Sequence, residues 1–148
     1  MALSEKINEE LKIAMKARDQ GRLRALRSIK SAILLASTQD KSNDLDQDDE
    51  LEILQKLAKQ RKESLETYEQ QGREDLASEE REELEVIESF LPEQMSEEEI
   101  KAEVRKIIDQ TGASQTSDLG KVMGQATKVL KGKADKKIVA RVAREMLS

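Results

Sequence analysis

The chain has 148 residues, 39% of them charged and 1% aromatic, with one Pro, six Gly and neither Cys nor His. Those absences exclude disulfides, thiolate nucleophiles, imidazole bases and the usual N/S zinc sites, leaving carboxylates, Lys, Tyr68 and hydroxyls as the only reactive groups. The net charge of −5 hides an asymmetry: residues 1–95 hold 15 Lys/Arg against 23 Asp/Glu, while from Thr111 onward the count is 8 against 3. A polyanion is therefore repelled by the whole and attracted to the end.

A mix rich in Leu, Ile, Ala, Glu, Lys, Gln and Arg predicts an all-α fold. Ser4 is placed to cap a first helix in which Ile7, Leu11, Ala14 and Met15 recur at helical spacing as far as about Arg18, with a break at Gly21. The next helix carries Leu23, Leu26, Ile29, Ile33 and Leu34. Residues Thr38 to Gln47 have turn composition, and a long stripe through Leu51, Leu54, Leu57, Ala58, Leu65 and Tyr68 predicts a third helix from about Asp48 to Gln70. Gly72 ends it, and a fourth helix with Leu76, Leu84, Ile87 and Leu91 stops at Leu91, because Pro92 disfavours helical geometry in the residue before it.

Ser96 and Glu99 have the spacing of a capping box for a fifth helix striped by Ile100, Val104, Ile107 and Ile108. Gly112 stops it. Ser117 or Asp118 caps a sixth helix with Leu119, Val122, Met123, Ala126, Val129 and Leu130, which ends at Gly132. The last helix lines up Ile138, Val139, Val142, Ala143, Met146 and Leu147. The expected architecture is an N-terminal bundle or hairpin of about four helices over residues 1–91, a hinge at 92–95 and a small three-helix domain over 96–148. No run approaches the ~20 apolar residues that span a bilayer, and MALSEKINEELK lacks a signal-type apolar core, so a soluble, cytoplasmic protein with no membrane partner is expected.

The cations of the last segment carry the functional expectation. Lys121 and Lys128, with Gln125, fall at i, i+4 and i+7 of the sixth helix, opposite its apolar stripe; Lys137, Arg141 and Arg144 do the same on the seventh. Lys131, Lys133 and Lys136 lie on the connection, where Gly132 is suited to a left-handed cap and Asp135 to capping the final helix. Eight cations round one end of a small unit read as a phosphate-tracking surface, set against the plainer reading of a solvated face. Gly120 and Gly124, four apart, are expected to admit close packing of a neighbouring helix. A second basic cluster, Lys12, Lys16, Arg18, Arg22, Arg24, Arg27 and Lys30, is expected to pair with Glu79, Glu80, Glu82, Glu83, Glu85 and Glu88.

Calcium is excluded by spacing. A loop starting at Asp44 puts Asp49 where Gly is needed and Gln55 where the bidentate Glu belongs, and one starting at Asp40 puts Leu45 and Leu51 there. The acids around Asp46 to Glu50 instead complement the positive end of the third helix. With no glycine-rich phosphate loop, strand-borne nucleophile or metal triad, neither catalytic residues nor a cofactor is expected.

Gly120-Lys121-Val122-Met123-Gly124, Lys131-Gly132-Lys133-Ala134-Asp135 and the Val139 to Leu147 helix resemble the YqeY family. So do Leu26-Arg27-Ser28-Ile29-Lys30, Arg61-Lys62-Glu63-Ser64 with Tyr68, Gly72-Arg73-Glu74-Asp75-Leu76 and Phe90-Leu91-Pro92. These proteins are small stand-alone relatives of the tail domain of the B subunit of the glutamine-dependent glutamyl/aspartyl-tRNA amidotransferase. The resemblance implies two helical domains, the second a module that in the amidotransferase helps hold tRNA. It also implies a family label of carbon-nitrogen ligase with glutamine as amide donor. This chain lacks the amidase-type serine and lysine machinery and the ATP-using core, which in that enzyme lie elsewhere.

The leading expectation is a tRNA-binding, translation-linked module with Lys121, Lys128, Lys131, Lys133, Lys136, Lys137, Arg141 and Arg144 as phosphate contacts and translation or amidotransferase components as protein partners. The rivals are an adaptor whose acidic N-terminal helices bind a partner, and an amidotransferase component active only in a complex. Oligomeric state is not set by any of these features.

Overall fold

The computed structural model describes residues 2–39 and 45–148. Among them are seven α-helices and one 3-10 turn, gathered into two compact units, Met1–Leu91 and Pro92–Ser148. The fold is all-α, as expected.

In the first unit α1 (Leu3–Ala17) packs on α2 (Gln20–Gln39), and α2 packs on α4 (Glu74–Ser89), which lies along α3 (Gln47–Gln70). Ile7, Leu26, Ile29, Leu54 and Ile87 are fully buried at the centre. Ser4 lies inside α1 and does not cap it. Ala2 holds that position without a side-chain bond, and the Leu3 amide donates instead to Glu50 Oε2 at 3.0 Å. A long-range carboxylate thus satisfies an amide that sequence reading assigns to a local cap.

The first break is likewise displaced, from Gly21 to Arg18. Arg18 takes left-handed geometry at φ 57, its amide donates to Met15 O and the Asp19 amide to Ala14 O, the paired bonds of a Schellman ending. Asp19 Oδ1 then accepts from the Arg22 amide at 3.0 Å, so one residue closes one helix and caps the next. Gly21 sits in the first turn of α2, where an added Cβ would lie 2.7 Å from Glu82 Oε2.

Of the expected loop at 38–47, residues 40–44 lie outside the described residues, Asp40 and Asp44 among them. Thr38 and Gln39 complete α2, and Gln47 already opens α3. Asp46 and Asp49 form a reciprocal capping box, Asp49 N to Asp46 Oδ1 at 2.8 Å and Asp46 N to Asp49 Oδ2 at 3.1 Å. The acids there do complement the helix start. α4 ends at Ser89 with Phe90 as its cap, two residues before the Leu91 limit set by Pro92.

The second unit packs α5 (Glu97–Thr111), α6 (Leu119–Val129) and α7 (Lys136–Leu147) around Ile100, Val104, Val122 and Val142. Ser96 and Glu99 make the expected capping box, and Gly112 closes α5 at φ 72. Asp118 does not cap α6 with its side chain. A 3-10 turn, Thr116–Asp118, intervenes, and the Asp118 carboxylate turns back to accept from the amides of Ser114 (3.0 Å) and Gln115 (3.4 Å). Those backbone bonds, the Ser114 one foremost, hold its carboxyl below the usual range.

Candidate nucleic-acid interface

The connection from α6 to α7 alternates like a strand. Leu130, Gly132 and Ala134 are buried, while Lys131 and Lys133 between them are exposed. Burial of the apolar anchors therefore drives both lysines outward. Gly132 adopts φ 78, a conformation that a Cβ would strain. Two backbone carbonyls of this turn are tied to residues 94 and 95: Lys133 O accepts from Met95 N at 2.9 Å and Gly132 O from Gln94 Nε2 at 2.8 Å. Residues expected to act as a hinge are thus fastened to the lysine turn within the second unit. Asp135 Oδ1 takes the Lys137 amide at 2.9 Å and caps α7.

On the helices, Lys121, Lys128, Lys136, Lys137, Arg141 and Arg144 are all exposed. α7 packs on α6 and also reaches the 3-10 turn that precedes it, so the two helices run antiparallel. Lys128, Lys133, Lys136 and Lys137 gather at the turn. Lys121 and Arg144 sit two helical turns away, roughly 10 Å along the hairpin at ~1.5 Å per residue.

The eight cations are not equally available. Arg141 bridges Glu97, at the start of α5, and Glu145, one turn further along α7 (3.4 Å). The Arg141 hydrogen bond, reinforced by its charge, holds the Glu97 carboxyl below the ordinary glutamate value. Lys121 contributes to the low value at Asp118. Lys128, Lys133, Lys136, Lys137 and Arg144 have no acidic side-chain partner among the described residues. Sequence reading missed both Glu97, which no spacing rule connects to Arg141, and the tethers from Gln94 and Met95. Glu145 was readable as an i, i+4 partner.

Two further expectations need correction. An added Cβ at Gly120 or Gly124 would meet nothing within 4 Å, so no neighbouring helix packs closely there. And the cluster from Lys12 to Lys30 is mostly unpaired. Arg22 bonds Glu10 of α1 at 2.8 Å, and Arg24 alone reaches α4, at Glu82 (3.3 Å) and Glu83 (3.7 Å). Lys12, Lys16, Arg18, Arg27 and Lys30 have no acidic partner among the described residues. Of the six acids expected as the cluster's partners, Glu80 (3.2 Å) and Glu83 (3.1 Å) are taken by Arg61 of α3, while Arg81 of α4 takes Glu69 of α3 and Glu74 of its own helix.

An open groove of about 540 Å³ runs along α3, lined by Gln60, Arg61, Glu63, Ser64, Thr67 and Tyr68. All six come from one helix, and the Arg61 guanidinium is already engaged by α4. Burial raises the Glu80 carboxyl there, against the opposing pull of Arg61. Among the described residues no group of three carboxylates is arranged to hold a metal ion, and no helix is long and apolar enough to cross a membrane.

A relative from Kluyveromyces lactis named altered inheritance of mitochondria protein 41, mitochondrial, is 33% identical over 123 residues, or 80% of this chain. The chain spans 66% of that relative's length. The family model described as Yqey-like protein matches residues 4–147. An all-helical chain with those motifs, matched almost end to end, belongs to the YqeY family, the stand-alone relatives of the amidotransferase B-subunit tail domain.

Proposed function

We propose that this protein binds folded RNA, tRNA in the first instance, through the cationic α6–α7 hairpin, as a non-catalytic module linked to translation or to tRNA amidation. The observation that carries the reading is the set of five exposed cations without acidic partners, Lys128, Lys133, Lys136, Lys137 and Arg144, of which Lys133 lies on a turn whose buried neighbours fix its direction. Such groups gain affinity by releasing counterions from a phosphate backbone. Lys121, Lys131 and Arg141 complete the surface, Arg141 by exchanging Glu97 for phosphate.

Recognition works by backbone and shape and not by base stacking. The two aromatics, Tyr68 and Phe90, belong to the first unit, and Phe90 packs against its core. Kinship with a tail domain that helps hold tRNA supports the same reading. Carbon-nitrogen ligation with glutamine as donor is then the chemistry of other subunits, which this module assists by holding RNA.

Titrating the protein with labelled tRNA across a salt series tests the proposal. Binding is expected at low salt, and replacing all five unpaired cations by Ala should flatten the log–log salt slope by roughly four to five, about one per lost phosphate contact. Absence of binding at low salt, or an unchanged slope in the variant, rejects it.

A further inference from the structure

The first unit leaves an adhesive face uncovered on α2. At about 100° per residue, Arg27, Lys30, Ser31, Leu34 and Thr38 fall within a sector of roughly 100° that borders the buried stripe of Leu26, Ile29 and Ile33 and is centred roughly 120° from it. Leu34 is 56% exposed and Leu35, beside the sector, 60%. Arg27 and Lys30 have no acidic partner among the described residues, although residues 1–95 hold 23 Asp/Glu against 15 Lys/Arg. Two cations left unmatched amid surplus acid, Lys30 one turn and Arg27 two turns before Leu34, form with the solvent-facing leucines a surface that is basic at one end and aliphatic at the other.

We propose that this face of α2 docks an acidic amphipathic helix from a partner protein. The spacing Arg27, Lys30, Leu34, with Thr38 beyond, is the 3-4 rhythm along which a second helix lies in a shared seam. From residue 27 to 38 it extends about 16 Å, enough for a partner of roughly three turns. Leucines in the partner would cover Leu34 and Leu35, and its carboxylates would meet Arg27 and Lys30.

Charge range decides between occupants. A short helix senses charge within a Debye length of about 8 Å, and the helix it would lie on, α2, holds four Lys/Arg and no Asp or Glu. An anionic bilayer or a polynucleotide extends past that range and meets the excess acid of the unit. Exposed leucines also add nothing to phosphate contacts, and no aromatic side chain lies on the face to stack a base.

The test places a photo-crosslinking amino acid at position 34 of the full-length chain in cells, with a control at the exposed Glu66 of α3, and maps each attached peptide by mass spectrometry. The expected product is a protein segment rich in Asp/Glu with aliphatic residues at 3-4 spacing, formed at 34 and not at 66. Its yield should fall about tenfold when Arg27→Glu and Lys30→Glu are introduced together. Both are exposed, so melting by circular dichroism should be unchanged. Crosslinks to lipid, to RNA or to a second copy overturn the proposal. So does a yield no higher than the control, or one indifferent to the charge reversal. The result is independent of the α6–α7 salt series.

Discussion

Arg18 and Gly124 are a mismatched pair. Arg18 holds the left-handed position that ends α1, where a residue with a Cβ is strained by about 1–2 kcal/mol. Gly124 occupies a helix interior, at a cost of ~1 kcal/mol relative to Ala, with open space where a Cβ would go. Arg18→Gly should therefore stabilise the first unit and Gly124→Ala the second, each by up to ~1 kcal/mol. Denaturant midpoints of the two variants check this, and a loss of stability in either contradicts the local geometry. The sequence invites the opposite assignment at both places. A glycine at 21 looked like the break because residue type is visible from sequence whereas backbone bonds such as Asp19 N to Ala14 O are not.

Helices were legible wherever periodicity and local caps agree. Both partners of the Ser96–Glu99 box lie within one turn, so the start of α5 could be read directly; the start of α1 could not, because its partner, Glu50, is on another helix. The same divide separates the two carboxylates on Arg141. Glu97 bridges α5 to α7, and its lowered pKa means that the pair's contribution to stability is fully present above the unfolded glutamate value and is lost as pH falls through the lower, folded value. A carboxyl NMR titration should show Glu97 shifted down in the wild type and restored to the ordinary range in Arg141→Ala. Under the RNA-binding reading, Glu97→Gln should tighten tRNA binding at a nearly unchanged salt slope, since Arg141 no longer has to exchange partners, whereas Arg141→Ala should flatten the slope by about one. An unchanged slope in Arg141→Ala would show that Arg141 takes no part.

At the scale of the whole chain, a net charge of −5 conceals surfaces of both signs, and only part of that division shows in residue counts. The surplus of cations after Thr111 is readable as a number. That Lys131 and Lys133 project while their neighbours are buried requires the turn itself. The tethers from Met95 and Gln94 to that turn bear on how the second unit is to be excised. A fragment cut at Ser96, where the capping box suggests that it begins, forfeits both bonds along with the half-buried Met95 side chain; one cut at Pro92 keeps them. At ~0.5–1.5 kcal/mol for each lost hydrogen bond, the shorter fragment should melt measurably lower than the longer one. Its lysine amides should also exchange with deuterium faster, so four residues outside any helix would set the rigidity of the most basic loop in the protein.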